Sequence, residues 1–86
     1  MAASLLFDDL HTGRPYVEIF GNNRVVIENH QGILEYDTEL LRVKCNGCAV
    51  CICGMDLELT ALSLNELAVT GAIASVEYTS EGKEKI

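Results

Sequence analysis

With 86 residues, the chain has room for one hydrophobic core, and its 49% hydrophobic content is enough to fill one. A net charge of −7, with six basic residues scattered along the chain, disfavours binding to nucleic acid or to an anionic membrane surface. No apolar run is long enough to span a bilayer, and the first residues lack the basic region of a secretory signal. We therefore expect a cytosolic protein whose thiols stay reduced.

The N-terminal segment, residues 1–14, is predicted to be an arm that precedes the folded domain. Ser4 could cap a short helix that would end before Gly13 and Pro15, and a flexible arm is the alternative. The folded domain is expected over residues 15–78. Residues 79–86 are predicted to form a charged, frayed tail.

After Pro15, short segments rich in Val, Ile, Leu and Tyr alternate with Gly- and Asn-containing turn signals, which is typical of all-β domains. The pattern predicts eight strands, at residues 16–20, 24–28, 33–36, 40–45, 48–53, 57–62, 67–70 and 72–78. The expected fold is a single small all-β domain of short, mostly antiparallel strands, arranged as a meander sandwich or roll. A short β-solenoid is the alternative.

Alternation of apolar and polar residues identifies a core-facing side for most of these strands. The predicted core sets are Val17 and Ile19, Val25 and Ile27, Leu34 and Tyr36, Leu41, Val43 and Cys45, Leu57 and Leu59, and Leu67 and Val69. Leu62 and Leu64 do not continue the Leu57 register. Ile73 likewise does not continue the Val76 register, and a bulge or a strand boundary is expected in both places.

The four cysteines all lie within residues 45–53, which at first suggests a metal or cluster site. The same stretch contains Asn46-Gly47, a strong signal for a two-residue hairpin turn. The predicted pairs are Cys45–Cys48, Lys44–Ala49, Val43–Val50, Arg42–Cys51, Leu41–Ile52 and Leu40–Cys53. Because side chains alternate across a sheet, two sulfurs then lie on each face, and one tetrahedral ion cannot reach all four at about 2.3 Å.

The hairpin therefore predicts that Cys45 and Cys48 are small core residues and that Cys51 and Cys53 are less buried strand residues. We accordingly expect no metal ligand and no cofactor. The alternative is a small metal- or redox-binding module that uses all four thiols. A disulfide between Cys45 and Cys48 is geometrically conceivable. Arg42, opposite Cys51, is expected to lower the pKa of Cys51 and make it the most reactive thiol if it is exposed.

No pattern in the chain predicts catalysis, and we expect no catalytic residues. Asp8 and Asp9 lie in the predicted arm, which could not hold an acid and a base at fixed geometry. His30 falls between two predicted strands and is expected to be a turn residue with an exposed or locally hydrogen-bonded ring. A catalytic or ligand histidine is the alternative. Residues 71–78 carry one charge, so as an edge strand they would favour self-assembly by strand addition. Burial between two neighbouring strands is the alternative.

Several short segments carry a family resemblance. They are residues 19–21, 26–36, Val43, 52–54, 57–59, 66–67, 69–71 and 73–78. In this order and spacing, over residues 15–78, the chain resembles the YabP/YqfC family of sporulation proteins. It is closer to the YqfC branch, whose members carry a similar Ile-Glu-Asn-His-basic-Gly stretch. Gln31 stands where a basic residue is usual, and the four cysteines look peculiar to this chain.

The resemblance implies a non-enzymatic assembly or adaptor component of endospore development, in coat or envelope formation. It implies protein partners in sporulation, with a membrane-embedded protein as one candidate, and a homo-oligomer formed through an edge strand is a further expectation. The expected location is the cytoplasm of a sporulating bacterium, with association with the developing spore surface as an option. The resemblance leaves open a lineage-specific use of the thiols, such as oxidative cross-linking late in spore maturation.

Overall fold

The computed structural model describes residues 14–80, which form six β-strands and no helix. The strands are β1 (Tyr16–Phe20), β2 (Arg24–Glu28), β3 (His30–Tyr36), β4 (Leu40–Cys45), β5 (Cys48–Leu62) and β6 (Glu66–Ser80). The predicted helix cap at Ser4 and the carboxylates of Asp8 and Asp9 lie outside the described residues. β6 continues to Ser80, two residues beyond residue 78, the predicted end of the folded domain.

The six strands form one antiparallel sheet in the order β1-β2-β6-β5-β4-β3. The all-β, antiparallel expectation is confirmed. The eight strands and the sandwich or roll are not, because two pairs of predicted strands are each continuous. Residues 48–53 and 57–62 belong to β5, and residues 67–70 and 72–78 belong to β6.

The predicted turns at Gly54 and Gly71 are instead places where β5 and β6 approach closely inside one long hairpin. A Cβ atom at Gly54 would overlap the carbonyl oxygen of Ala72, and one at Gly71 would lie 2.7 Å from the carbonyl oxygen of Asp56. Gly71 has φ +145° and Asp56 has φ 56°, and the register is irregular between Met55 and Glu58. These glycines therefore permit a bulged crossing of two backbones rather than a chain reversal.

The neighbouring turns supply backbone hydrogen bonds to this crossing. The bonds are Gly54 N–H to Glu39 O (3.1 Å), Leu57 N–H to Thr38 O (2.8 Å), Gly71 N–H to Asn23 O (3.1 Å) and Ile73 N–H to Asn22 O (2.8 Å). The β3–β4 turn thus contacts β5, and the β1–β2 turn contacts β6. Both turns satisfy main-chain donors that the irregular ladder would otherwise leave without partners.

The junction between β2 and β3 requires the sheet to curl. Only Asn29 separates these strands, so Glu28 and His30 are at most about 7.6 Å apart, yet β2 and β3 are separated by three strands in the sheet order. Asn29 adopts φ 68°, and the backbone N–H groups of Asn29 and His30 both donate to Asn65 O, at 2.6 and 3.3 Å. These two hydrogen bonds therefore connect the β2–β3 junction to the β5–β6 loop.

A single cluster of buried side chains lies on the inner side of this curled sheet. It consists of Val25, Ile27, Leu41, Val43, Cys45, Val50, Ile52, Leu57, Leu67 and Val69. Eight of these ten residues belong to the core sets that alternation predicted. Because β2 and β4 contribute to one cluster without pairing with each other, the two ends of the sheet share one core.

The core prediction is wrong for three residues near the edges of the sheet. Tyr36, at the end of β3, is 43% exposed, and its hydroxyl donates to Leu57 O at 3.3 Å. Ile19, on edge strand β1, is 53% exposed because no described strand lies beyond it. Leu34 is 47% exposed because the β3–β4 register skips it, and Ile33 takes the inward position opposite Val43. The expected irregularities near Leu62 and Ile73 are present as register shifts, which skip Thr60 in β5 and Ala74 in β6.

Candidate functional site

The hairpin that carries the cysteines has the register that the sequence predicts. β4 and β5 pair as Leu40–Cys53, Leu41–Ile52, Arg42–Cys51, Val43–Val50, Lys44–Ala49 and Cys45–Cys48. The turn residues Asn46 and Gly47 connect the two strands directly. This register follows from a two-residue turn flanked by alternating apolar residues, since such a turn leaves no freedom to slip.

Burial of the four thiols follows this register. Cys45 is fully buried in the core, and Cys48, directly opposite, is partly buried and packs against the same core. Cys51 and Cys53 are partly buried on the other face of the ribbon. None of the four is joined in a disulfide. A four-sulfur centre would require the hairpin to open, because Cys45 and Cys51 lie on opposite faces.

Cys51 and Cys53 form what we call the outer thiol pair, with their Sγ atoms 3.9 Å apart. Arg42 lies opposite Cys51 on β4, and Glu77 lies opposite it on β6. Burial, the hydrogen bond with Cys53 and the charges of Cys53 and Glu77 raise the pKa of Cys51 to about 11. Arg42 acts in the opposite direction but is outweighed, so the expected net lowering of the pKa of Cys51 is wrong.

The inner thiol Cys45 also has a raised pKa, and the largest cause is the same as for Cys51. Burial is the largest cause, and the neighbouring Cys48 adds to it, so that the pKa of Cys45 reaches about 11. The guanidinium of Arg42 is engaged on the outer face, where its Nη1 lies 3.4 Å from Glu35 Oε1. Neither Cys45 nor Cys51 is therefore a thiol whose pKa a nearby cation lowers.

His30 is a buried strand residue rather than a turn residue, and the predicted local hydrogen bond of its ring is present. It is 7% exposed at the start of β3, and its Nδ1 accepts a hydrogen bond from the Gly32 N–H at 3.0 Å. Nδ1 therefore carries no proton, and Nε2 donates to Ser63 O at 3.1 Å. With both ring nitrogens engaged, His30 joins β3 to the β5–β6 loop.

A shallow cavity of about 400 Å³ lies beside His30. Its lining residues are His30, Gln31, Gly32, Ile33, Leu62, Ser63 and Leu64. Leu62 and Leu64 are 58% and 94% exposed, which makes this rim one of the more apolar parts of the described surface. Of its polar side chains, that of His30 already has its hydrogen bonds and the Ser63 hydroxyl donates to Glu66 O at 3.2 Å, so the cavity holds no convergent set of reactive groups.

The predicted edge segment is half covered. Residues 66–70 of β6 lie between β2 and β5, and the β1–β2 turn binds the N–H groups of Gly71 and Ile73. Residues 74–80, which we call the β6 edge, pair with β5 on one side only within residues 14–80. The sequence analysis leaves an edge position and a central position as alternatives for this segment, and the long strand β6 contains both.

Comparison with known proteins gives one finding that covers most of the chain. No curated protein and no solved structure matches it. No helix within residues 14–80 is long and apolar enough to cross a membrane. A family model described as the YabP family matches residues 11–85, a range that includes the whole sheet. The chain therefore belongs to the YabP family.

Proposed function

We propose that the protein is a non-enzymatic assembly or adaptor component of endospore development, acting in coat or envelope formation. Membership of the YabP family is consistent with a sporulation-related role. Within that family we assign the chain to the YqfC branch, on the stretch Ile27-Glu28-Asn29-His30 followed by Gly32. The proposed location is the cytoplasm of a sporulating bacterium, at or near the developing spore surface. Its partners are other sporulation proteins, with a membrane-embedded one as a candidate.

The observation that carries this proposal is the β6 edge. Its seven residues span about 24 Å, which is long enough for a complete added strand. Natural sheets protect such edges with Lys, Pro or inward-pointing charges, whereas Glu77 is the only charged residue here and Pro is absent. An unprotected edge with one charge is suited to β-strand addition, in which main-chain hydrogen bonds provide the affinity.

The occupant that we propose for the β6 edge is a second copy of the chain. Two identical antiparallel strands can pair about a two-fold axis, which gives a closed dimer. Because each chain carries a net charge of −7, contact between copies is most favourable where few charges lie, as at this edge. The same net charge predicts a dimer that tightens as salt screens the repulsion.

Sedimentation equilibrium over a range of protein and salt concentrations tests this proposal. We expect reversible dimerisation, stronger at high salt. Tyr78→Lys should weaken it, because Tyr78 is 61% exposed on the β6 edge and each dimer would gain two nearby positive charges. Leu64→Lys is the matched control, since Leu64 is 94% exposed in the β5–β6 loop away from that edge. A strict monomer at all concentrations, or equal weakening by both substitutions, would contradict pairing through the β6 edge.

A further inference from the structure

The outer thiol pair has a geometry that the assembly role does not use. Cys51 and Cys53 are two positions apart on one strand, so their Cα atoms are separated by about 6.8 Å and their Cβ atoms point the same way. A disulfide needs Cβ atoms about 3.5–4.5 Å apart. β5 is paired on both sides here, with Arg42 and Glu77 opposite Cys51, so the backbone cannot easily bend to close that gap.

The two sulfurs nevertheless lie close together, with the Sγ atoms 3.9 Å apart. Two sulfurs that each bind one ion at about 2.3 Å are separated by this distance when the sulfur–metal–sulfur angle is about 116°. That angle lies between the tetrahedral value of about 109° and the trigonal value of about 120°. The pair is thus poorly placed to form a disulfide but already spaced to hold one thiophilic ion between its sulfurs.

The surroundings of the pair narrow the choice of metal. Within residues 14–80, no group of three or more His, Cys, Asp or Glu side chains could hold an ion, so a four-ligand structural zinc site is not available there. Cu(I) is bound by soft thiolate and thioether ligands and accepts two or three of them. Met55 follows two positions after Cys53 on β5, where alternation places it on the same face, and it is 62% exposed.

We propose that the outer thiol pair of Cys51 and Cys53 binds one Cu(I) ion, with the Met55 thioether as third ligand. Two thiol protons leave to solvent and two copper–thiolate bonds form, with no change in oxidation state. The resulting centre carries one negative charge. Arg42 lies opposite Cys51 on β4, and its positive charge partly offsets the negative charge of the centre. Glu77 lies opposite Cys51 on β6, and its negative charge disfavours the centre.

Unlike the ligands of a structural metal centre, the proposed copper ligands lie outside the hydrophobic core that stabilises the fold. The inner thiols Cys45 and Cys48 pack on the opposite face with Val43 and Ile52, and the copper ligands contribute nothing to that cluster. The protein is therefore expected to keep its fold when copper is removed. A zinc-dependent domain would unfold instead.

Anaerobic titration of the reduced protein with Cu(I), in competition with a chromophoric Cu(I) chelator, tests the site, and native mass spectrometry gives the stoichiometry. We expect one Cu(I) per chain. Cys51→Ser and Cys53→Ser should each abolish stoichiometric binding, whereas Cys45→Ala should leave it unchanged. Far-ultraviolet circular dichroism of each variant establishes that the sheet is intact, so that a loss of binding reports the ligands rather than unfolding.

X-ray absorption at the copper edge tests the third ligand. The wild-type protein should give three sulfur neighbours, and Met55→Leu should give two. Retention of all three in Met55→Leu would remove Met55 from the site. Failure of the protein to compete with the chelator, binding that survives Cys51→Ser, or equally tight binding of one Zn(II) by the same residues would overturn the Cu(I) proposal.

Discussion

The two faces of the β4–β5 hairpin use the same residue type in opposite ways. On the inner face, Cys45 lies in a row of fully buried side chains that includes Val43 and Ile52. On the outer face, Cys51 and Cys53 are partly exposed beside Arg42. The face of the sheet on which a cysteine lies, which alternates along the strand, therefore decides whether its thiol is buried in the core or accessible to reagents. Substitutions placed one position apart can test how complete this division is.

The largest difference is expected between Ile52→Ala and Cys53→Ala. Ile52 is fully buried in the core cluster, so its truncation should lower the free energy of unfolding by about 2–5 kcal/mol. Cys53, the next residue, lies on the outer face, and its truncation should change stability by less than about 0.5 kcal/mol. Urea denaturation measures both values. Similar losses in the two variants would mean that the outer face is also covered in solution.

A smaller effect is expected from replacing each thiol by a hydroxyl. Cys45→Ser places a hydroxyl at a fully buried position, which costs about 1–3 kcal/mol if the group finds no partner. Cys51→Ser, on the partly exposed face, should be nearly neutral, and Cys45→Ala separates the effect of the hydroxyl from lost volume. Chemical denaturation of the three variants gives the comparison. A neutral Cys45→Ser would show that water reaches the inner face.

The register of this hairpin could be predicted from the sequence because every determinant is local. Asn46-Gly47 specifies the turn, and alternation then assigns each neighbouring residue to a face. The fusion of strands into β5 and β6 could not be predicted in this way. Glycine marks both chain reversals and close backbone crossings, and only the contact between Gly54 and Ala72 distinguishes them.

The exposure of Leu34 and the structural role of His30 also could not be predicted from the sequence, because both depend on contacts between different strands and loops. A bulge exchanges Leu34 for Ile33 at the core face, and a bulge in β3 depends on how that strand pairs with β4. The hydrogen bond from His30 to Ser63 spans 33 positions in the chain. Contacts between residues so far apart in the chain depend on how the sheet curls, and local sequence patterns do not predict that curl.

The inner thiol should also make stability depend on alkaline pH. Burial raises the pKa of Cys45 to about 11 from an ordinary value of 9.0, so the folded chain binds the proton more tightly than the unfolded chain. This contribution is complete below about pH 9 and is lost as the pH rises towards 11. The difference between wild type and Cys45→Ala in urea denaturation at pH 8, 9 and 10 isolates it from tyrosine and lysine titration. A constant difference would contradict it.

The smallest effects are expected at Cys51, whose two cross-strand neighbours have opposite charges. Glu77→Gln should lower the pKa of Cys51 and speed its alkylation at constant pH, whereas Arg42→Gln should raise that pKa and slow it. Both changes should shrink at high salt, since the pair is partly exposed and ions screen such charges. Mass-spectrometric alkylation rates report each cysteine separately, and Cys45 is the internal reference. If both substitutions shifted the alkylation rate of Cys51 in the same direction, a change in burial, which is the largest cause of its raised pKa, would outweigh the loss of either charge.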